Sequence, residues 1–203
     1  LSDSKEVSFS PIEKGLRLRL SKFMLADKTI EGSITFDIII PNETEPKMKI
    51  EIIDFQLADE EFDLKQIDLP CRAFFLKTAD DKGYLVIPSR QGCIFPVGRT
   101  TPSPDEVVPS PFIGYLPYLL PIGGMGPYTK DFSWELSMPW FGAVKANSSH
   151  MAIIETPYDV IVRLIGNDKS DTSPFRIASL HPIWLPSKGK LAYKREISYI
   201  FEA

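Results

Sequence analysis

Carboxylates are the first residues of this sequence that suggest chemistry. Glycoside hydrolysis needs two of them on opposite sides of a site, one to donate a proton and one to accept a proton or attack the sugar. Residues 59–61 form an acidic run that is typical of a solvated surface. Glu155 follows the apolar residues 151–154 and precedes Thr-Pro, which predicts either a site carboxylate or one that accepts hydrogen bonds at a strand end. The candidates are Asp54, Asp59, Glu60, Glu61, Glu135, Glu155 and Asp159.

Motifs for nucleophilic or phosphate chemistry are weak in this chain. Ser148, Ser149 and His150 supply hydroxyls and an imidazole, but adjacent residues rarely face each other and no G-x-S-x-G elbow is present. The glycines of residues 121–127 lack the Lys-Ser/Thr and the helix start of a phosphate loop. A packed turn is the simpler interpretation of that segment.

Aromatic side chains give the best signal for binding. Four rings stand at or near the ends of strand-like segments: Trp134, Trp140, Phe141 and Trp184. Pro139 and Gly142 flank Trp140 and Phe141, and Trp184 is two residues from a proline on either side. A ring in such a position can stack on the apolar face of a sugar while neighbouring polar groups bond its hydroxyls. Core packing is the alternative for each ring, and the sequence does not separate the two. The candidate carbohydrate contacts are therefore Trp140, Phe141, Trp184 and Glu155.

Composition limits the class of protein. The chain has 203 residues, of which 43% are hydrophobic and 25% charged, as in a folded globular domain. A net charge of -4 provides no basic surface, so nucleic acid is not an expected partner. No apolar run approaches the ~20 residues of a membrane span. Cys71 and Cys93 have only His150 and His181 to assist them, so no metal or other cofactor is expected, while free thiols and a disulfide both stay open.

The first third of the chain alternates with period two. Segments 15–23, 32–41 and 47–57 therefore predict half-buried antiparallel strands, with a turn at residues 41–46. Residues 58–69 predict a short helix, which Pro70 would end. Two apolar runs between residues 71 and 98 predict a hairpin that turns at residues 80–83, with positive φ angles at Gly83 and Gly92.

The remaining sequence predicts a long packed loop followed by more strands. Residues 98–130 contain seven prolines and five glycines but also several aromatic and leucine residues, which favours a loop that packs over the fold. Five further strands are predicted, at 132–145, 150–157, 159–166, 175–185 and 191–203. Ten or more strands with little helix predict an all-β, two-sheet antiparallel sandwich.

Three motifs between residues 70 and 203 resemble a known family. They are G-Y-(apolar)-P-x-x-x-G at residues 83–92, P-W-F-G…A-I-I-E-T-P-x-D at residues 139–159, and Y-x-R-x-(apolar)-x-Y-x-F at residues 193–201. Together they resemble the N-terminal β-sandwich region of large bacterial glycoside hydrolases, in the α-N-acetylgalactosaminidase and endo-α-N-acetylgalactosaminidase group.

The resemblance implies a galactose-mutarotase-like supersandwich that precedes a (β/α)8 catalytic barrel. Residues 1–203 would form a single β-sandwich domain, the N-terminal part of a longer enzyme, with the barrel beginning after Ala203. The catalytic carboxylates would lie in the barrel, so this chain would have none. It would pack beside the barrel, help to shape the cleft for α-linked galactosyl or N-acetylgalactosaminyl glycans, and reach the bacterial periplasm, cell surface or medium by secretion.

Two other functions fit the same residues. One is a stand-alone carbohydrate-binding module or surface glycan-binding protein. The other is an aldose epimerase-like enzyme, which would need a His and Glu pair. His150 precedes an apolar run and His181 precedes Pro182, so neither histidine has the context of such a pair.

Overall fold

The structure is a computed structural model that describes residues 4–25, 27–58, 66–68, 74–77, 83–88, 92–97, 128–132, 136–169, 176–185 and 193–202. Within these ranges every regular element is a β-strand, and the strands belong to two antiparallel sheets of nine and five strands. The predicted all-β, two-sheet antiparallel class is therefore confirmed. This described part contains no helix with the length and hydropathy of a membrane span. The strands are β1 Ser4–Ile12, β2 Gly15–Leu25, β3 Lys28–Ile39, β4 Lys47–Leu57, β5 Ile67–Asp68, β6 Phe74–Lys77, β7 Gly83–Ile87, β8 Cys93–Val97, β9 Tyr128–Phe132, β10 Trp140–Lys145, β11 Ser148–Ile154, β12 Val160–Lys169, β13 Arg176–Trp184 and β14 Arg195–Glu202.

The first compact unit comprises residues 1–67, 153–159 and 184–200, and its strands follow the order β1-β2-β3-β4-β14. The three alternating segments predicted in this region correspond to β2, β3 and β4. The predicted turn connects β3 to β4. There the side-chain oxygen of Asn42 accepts hydrogen bonds from the backbone N–H of Thr44 at 3.1 Å and from its hydroxyl at 2.9 Å. Such an Asx turn explains why Asn is favoured at this connection.

Alternation gives the first unit an apolar face and a polar face. On the polar face Arg17 binds both carboxylate oxygens of Asp37, at 2.8 and 2.9 Å. The apolar face consists of cross-strand rows that become increasingly buried toward β14. Two of these rows are Phe9, Leu18, Phe36, Ile52 and Pro11, Leu16, Ile38, Ile50, Ile197. The first row continues on β14 with the buried Arg195, which opposes Ile52.

The second compact unit comprises residues 68–152, 160–183 and 201–203. Its strands form two runs, β11-β10-β7-β8 and β5-β13-β12-β9, with β6 paired to β13. Core side chains that are fully buried include Leu85, Phe141, Leu164 and Leu180. The strands predicted at 150–157, 159–166, 175–185 and 191–203 correspond to β11, β12, β13 and β14.

The predicted hairpin across residues 80–83 is wrong, because the strands on its two sides do not pair with each other. β6 pairs with β13 whereas β7 pairs with β8, so the two apolar runs belong to different sheets. β7 instead pairs antiparallel with β8, and Gly92, the residue before β8, has the predicted positive φ of 102°. Gly83 does not have a positive φ. A Cβ there would lie 2.4 Å from the carbonyl oxygen of Val144, so close packing explains the glycine.

Several predicted features lie wholly or partly outside the described residues. Of the segment predicted as a helix, 58–69, only residues 58 and 66–68 are described, and Ile67–Asp68 form a strand. Most of the predicted loop is also outside, although Tyr128–Phe132 form β9. The strand predicted at 132–145 is instead the last residue of β9 followed, after an interval, by β10. The described ranges also leave out six residues named from the sequence: Asp59, Glu60, Glu61, Cys71, Trp134 and Glu135.

Candidate functional site

Two of the family-like motifs meet in the first unit, where residues 155–159 lie beside the beginning of β14. The backbone N–H of Glu155 donates to the carbonyl of Glu196 at 3.0 Å, and the N–H of Glu196 donates to the hydroxyl of Thr156 at 2.9 Å. Main-chain and side-chain bonds thus join segments that are about 40 residues apart in sequence. We name the strand-end cluster by its residues, Glu155, Thr156, Tyr158, Asp159, Tyr193, Arg195 and Ser198.

Asp159 is the centre of the strand-end cluster. Arg195 donates to one carboxylate oxygen from Nε at 3.1 Å and to the other from Nη2, and the hydroxyl of Tyr193 donates to the first oxygen at 2.7 Å. Arg195 also donates from Nη1 to the carbonyl of Tyr193. Its side chain is only 1% exposed. An arginine fork and a hydroxyl therefore occupy this carboxylate, which suits a structural ion pair better than proton transfer.

Tyr193 supports the same ion pair in two ways. The guanidinium carbon of Arg195 lies 3.7 Å from the centroid of the Tyr193 ring, within the range of a cation–π contact. Burial, followed by the hydrogen bond to Asp159 and the negative charge of that carboxylate, raises the pKa of Tyr193 to about 12. The phenol is therefore a donor at neutral pH and not a base.

Glu155 and Tyr158 form the outer part of the strand-end cluster. Glu155 is exposed, and one of its carboxylate oxygens accepts a hydrogen bond from the hydroxyl of Ser198 at 2.8 Å. Tyr158 is 85% exposed and packs edge-to-face on Tyr193, with ring centroids 5.9 Å apart. Glu155 was a candidate from the sequence, whereas Tyr158 was not. Its position in a short Pro-containing connection between two strands was the available signal, because such connections lie on the surface.

A ring of four charges lies next to the strand-end cluster, across β4 and β14. Lys194 contacts Glu51 at 2.7 Å and Glu196 at 3.2 Å, while Lys49 contacts the same two carboxylates at 2.7 and 3.0 Å. Burial alone would raise the pKa of Glu51, but the hydrogen bonds from Lys194 and Lys49 outweigh burial and hold that pKa below its ordinary value. Two cations and two anions thus compensate one another on this part of the sheet.

The candidate aromatic contacts occupy different environments. Phe141, on β10, is 0% exposed, and Trp184, at the end of β13, is 1% exposed, so both lie in the core. Trp140 is partly exposed at the start of β10. Glu155 and Trp184 belong to the first unit, whereas Trp140 and Phe141 belong to the second.

The second unit contains a chain of three polar side chains, two of them buried, that was not predicted from the sequence. The hydroxyl of Ser179 lies 2.8 Å from Nε2 of His181, and Nδ1 of His181 lies 3.2 Å from the carboxylate of Asp68. Ser179 and His181 are two residues apart on β13, so their side chains share a face. The atom order is that of a Ser-His-Asp triad. Ser179 is fully buried, however, so its hydroxyl cannot reach a substrate in this conformation.

The weak nucleophile motif at residues 148–150 has other contacts. The hydroxyl of Ser148 donates to the carbonyl of Lys145 at 3.0 Å, and that of Ser149 donates to the carboxylate of Glu202 at 3.4 Å. Burial lowers the pKa of His150, whose ring packs against Phe201. In the described ranges no three His, Cys, Asp or Glu side chains are grouped as metal ligands.

Two open surface depressions of about 600 and 350 Å³ occur in the first unit. The larger lies beside the turn at residues 41–44, and the smaller lies over polar residues of β2 and β3 that include Arg19, Lys22 and Ser33. No aromatic side chain is among the described residues that line them, so these residues offer no ring on which a sugar could stack.

No protein-family model and no curated protein matches the sequence. Solved structures of the α-N-acetylgalactosaminidase NagBb from Bifidobacterium bifidum do match, with a TM-score of 0.65 and 18% identity over 99% of this chain for the Gal-NHAc-DNJ complex. The GalNAc complex gives 0.61 and 19% over 98%, and the ligand-free structure gives 0.59 and 18% over 98%. The chain shares the fold of one part of NagBb.

The chain spans only 28% of the length of NagBb. The resemblance to α-N-acetylgalactosaminidases that the sequence motifs suggested is thus confirmed as a likeness of fold. Two of those motifs have a structural explanation in this chain, because residues 155–159 hold the beginning of β14 through Asp159 and Arg195.

Proposed function

We propose that residues 1–203 act as a single, non-catalytic β-sandwich domain of a larger bacterial glycoside hydrolase. The observation that carries the proposal is the coverage: nearly the whole chain has the fold of NagBb, and it accounts for 28% of that enzyme. Because the shared fold is only this part of NagBb, the rest of such an enzyme can include a separate catalytic barrel. That barrel is the proposed partner. The proposed substrates are α-linked galactosyl or N-acetylgalactosaminyl glycans, and the proposed location is the periplasm, the cell surface or the medium.

The surroundings of the carboxylates support a non-catalytic role. Glycosidases that retain configuration need two carboxyl groups about 5–5.5 Å apart, with one free to attack and one free to donate a proton. Asp159 is instead held by Arg195 and Tyr193. Glu51 is held by two lysines. Such pairing stabilises the fold and leaves these groups without a catalytic task.

A contribution to a glycan cleft is proposed for the exposed candidates. Glu155 keeps one carboxylate oxygen beyond its bond to Ser198, and Trp140 keeps part of its ring accessible. Phe141 and Trp184 are buried in the core, so no direct contact with a glycan is proposed for them. In a polypeptide that joins this chain to its barrel, Glu155→Gln and Trp140→Ala are therefore expected to raise KM with kcat unchanged. This is the result when a lost contact binds the substrate and the transition state equally well. A fall in kcat with constant KM would contradict this role.

The non-catalytic role is tested on the 203-residue chain. Purified chain is incubated with aryl α-N-acetylgalactosaminide and aryl α-galactoside, and release of the phenol is followed. We expect no turnover above the enzyme-free rate. Turnover that Asp159→Asn or Glu155→Gln abolishes, and that Asp131→Asn leaves intact, would overturn the proposal. Polarimetry with α-galactose in the same preparation tests the epimerase alternative, which predicts accelerated mutarotation.

Tyr158 favours a second candidate function, that of an independent glycan-binding module. A ring that is 85% exposed, with Asp159 next in sequence and Glu155 three residues before it, resembles the stacking surfaces of sugar sites. This alternative predicts that the 203-residue chain binds immobilised glycans and that Tyr158→Ala abolishes binding, while Phe201→Ala, at another exposed aromatic residue, does not. Absence of binding in the wild-type chain would remove this candidate and leave the first.

A further inference from the structure

The apolar face of the first unit is not covered over its whole width. On β14 and β4 its side chains are buried, and Ile197 and Ile52 are 0% and 1% exposed. Exposure rises toward β1, where Val7 is 50% and Phe9 is 73% exposed. Phe9 opposes Leu18 on β2, so the exposed ring continues the same row as the buried side chains of the sheet.

Leu16 and Ile40 widen this exposed surface. Leu16 opposes Pro11 and Ile38, and Ile40 continues the alternation of β3, with its N–H bound to the carbonyl of Lys14 at 2.9 Å. Both side chains are exposed. Single exposed apolar residues need no explanation, but four on the same face of β1, β2 and the end of β3 form a patch that signals an interaction site. We name Val7, Phe9, Leu16 and Ile40 the β1 patch.

We propose that the β1 patch is the surface on which the catalytic domain of the same polypeptide docks. This inference rests on the proposed function. Its occupant follows from the coverage of NagBb, since the shared fold accounts for 28% of that chain and the rest must be joined to it. A covalently joined domain has a high effective concentration, so a patch of modest area is enough to hold it. β1 also stands at the end of the strand order, where a neighbour can cover the strand edge.

The test uses hydrogen exchange of backbone amides in β1 and β2, measured by mass spectrometry. The 203-residue chain is compared with the polypeptide that joins it to the catalytic domain. We expect slower exchange in the longer polypeptide. Phe9→Glu is expected to abolish this difference, whereas Ser8→Glu, which adds the same charge to the polar face one residue away, keeps it. Both variants are expected to leave the Tm of the 203-residue chain nearly unchanged, because both positions are exposed.

The outcomes separate this inference from the proposed function. A longer polypeptide that hydrolyses α-galactosaminides but shows unchanged exchange in β1 and β2 overturns the docking surface alone. A longer polypeptide without glycosidase activity overturns the proposed function, and the inference with it. A 203-residue chain that dimerises in light scattering, and becomes monomeric with Phe9→Glu but not with Ser8→Glu, assigns the β1 patch to a second copy instead.

Discussion

Asp159 shows how one side chain can connect two distant segments of a sheet protein. Replacing it by Asn removes the anion that compensates the buried guanidinium of Arg195. Loss of one partner of a buried ion pair is strongly destabilising, because the other charge stays desolvated. We expect Asp159→Asn to lower the free energy of unfolding by about 3 kcal/mol, measured by urea denaturation.

Asp131 provides the matched control for that measurement. It also binds an arginine fork, with Arg163 at 2.6 and 2.8 Å, but its side chain is 41% exposed. Exposed pairs contribute about 0–1 kcal/mol, so Asp131→Asn should cost much less than Asp159→Asn. Equal losses for the two variants would mean that burial of Arg195 is not what makes the Asp159 pair important.

Tyr193 predicts a loss of stability at alkaline pH. Its pKa rises from 10.0 to about 12 in the folded protein, so between these values the folded state holds a proton that the unfolded state has released. The contribution is fully present below pH 10 and is lost as pH rises toward 12. Urea denaturation across this range should show a smaller pH dependence for Tyr193→Phe than for the wild type. An identical pH dependence of stability in both proteins would show that the pKa of Tyr193 is not raised in the folded state.

At the residue scale, the sequence indicated several residues of the strand-end cluster but not the contacts between them. Glu155, Asp159, Tyr193 and Arg195 all stand in motifs that could be noted from the sequence. Their pairing could not, because Arg195 and Asp159 are 36 residues apart and side-chain alternation says nothing about which strands are neighbours. The same limit hides the contact of His181 with Asp68, which are 113 residues apart.

At the scale of elements, the charge ring across β4 and β14 predicts acid sensitivity. The pKa of Glu51 is lowered in the folded protein, so its contribution to stability is present above the ordinary glutamate pKa and is lost as pH falls through the lower, folded value. Glu51→Gln should therefore flatten the acid limb of the stability–pH curve from urea denaturation. Glu45→Gln, in the exposed turn before β4, is the control and should retain the wild-type limb.

Gly83 tests the close packing at the beginning of β7. A Cβ there would lie 2.4 Å from the carbonyl oxygen of Val144 and 2.9 Å from Cδ1 of Leu76. We expect Gly83→Ala to destabilise the protein by about 1–3 kcal/mol in thermal or urea unfolding, as overpacking does. Gly142→Ala should cost less, because the nearest atom to its Cβ, the carbonyl oxygen of His150, is 3.0 Å away. The reverse order would refute the steric explanation of Gly83.

Strands were predictable wherever one face is buried and the other is polar. β2, β3 and β4 follow that rule, and their alternation predicted them. The error at residues 80–83 has a physical cause, since short connections usually join neighbouring strands, and the sequence preference for a turn does not reveal that β6 and β7 belong to different sheets. Pairing partners depend on the whole fold, which local periodicity cannot supply.

At the scale of the molecule, the first unit depends on a pairing between distant parts of the chain. β4 pairs with β14, and Ile52 opposes Arg195 in that pair. Closing so long a loop costs entropy before the contacts form, so the unit cannot complete its sheet from the N-terminal strands alone. The two ends of the chain should therefore differ sharply in their importance for folding.

Two truncations of similar length test this asymmetry. Removal of residues 193–203 deletes β14, whose Arg195, Ile197 and Tyr199 are at most 1% exposed, and also deletes both partners of Asp159. We expect that chain to lose cooperative unfolding, followed by near-ultraviolet circular dichroism during denaturation. Removal of residues 1–12 deletes β1, an end strand whose central side chains are exposed, and should leave a cooperative transition of lower midpoint. If both truncated chains unfold cooperatively with equal midpoints, burial on β14 does not determine the fold of this unit.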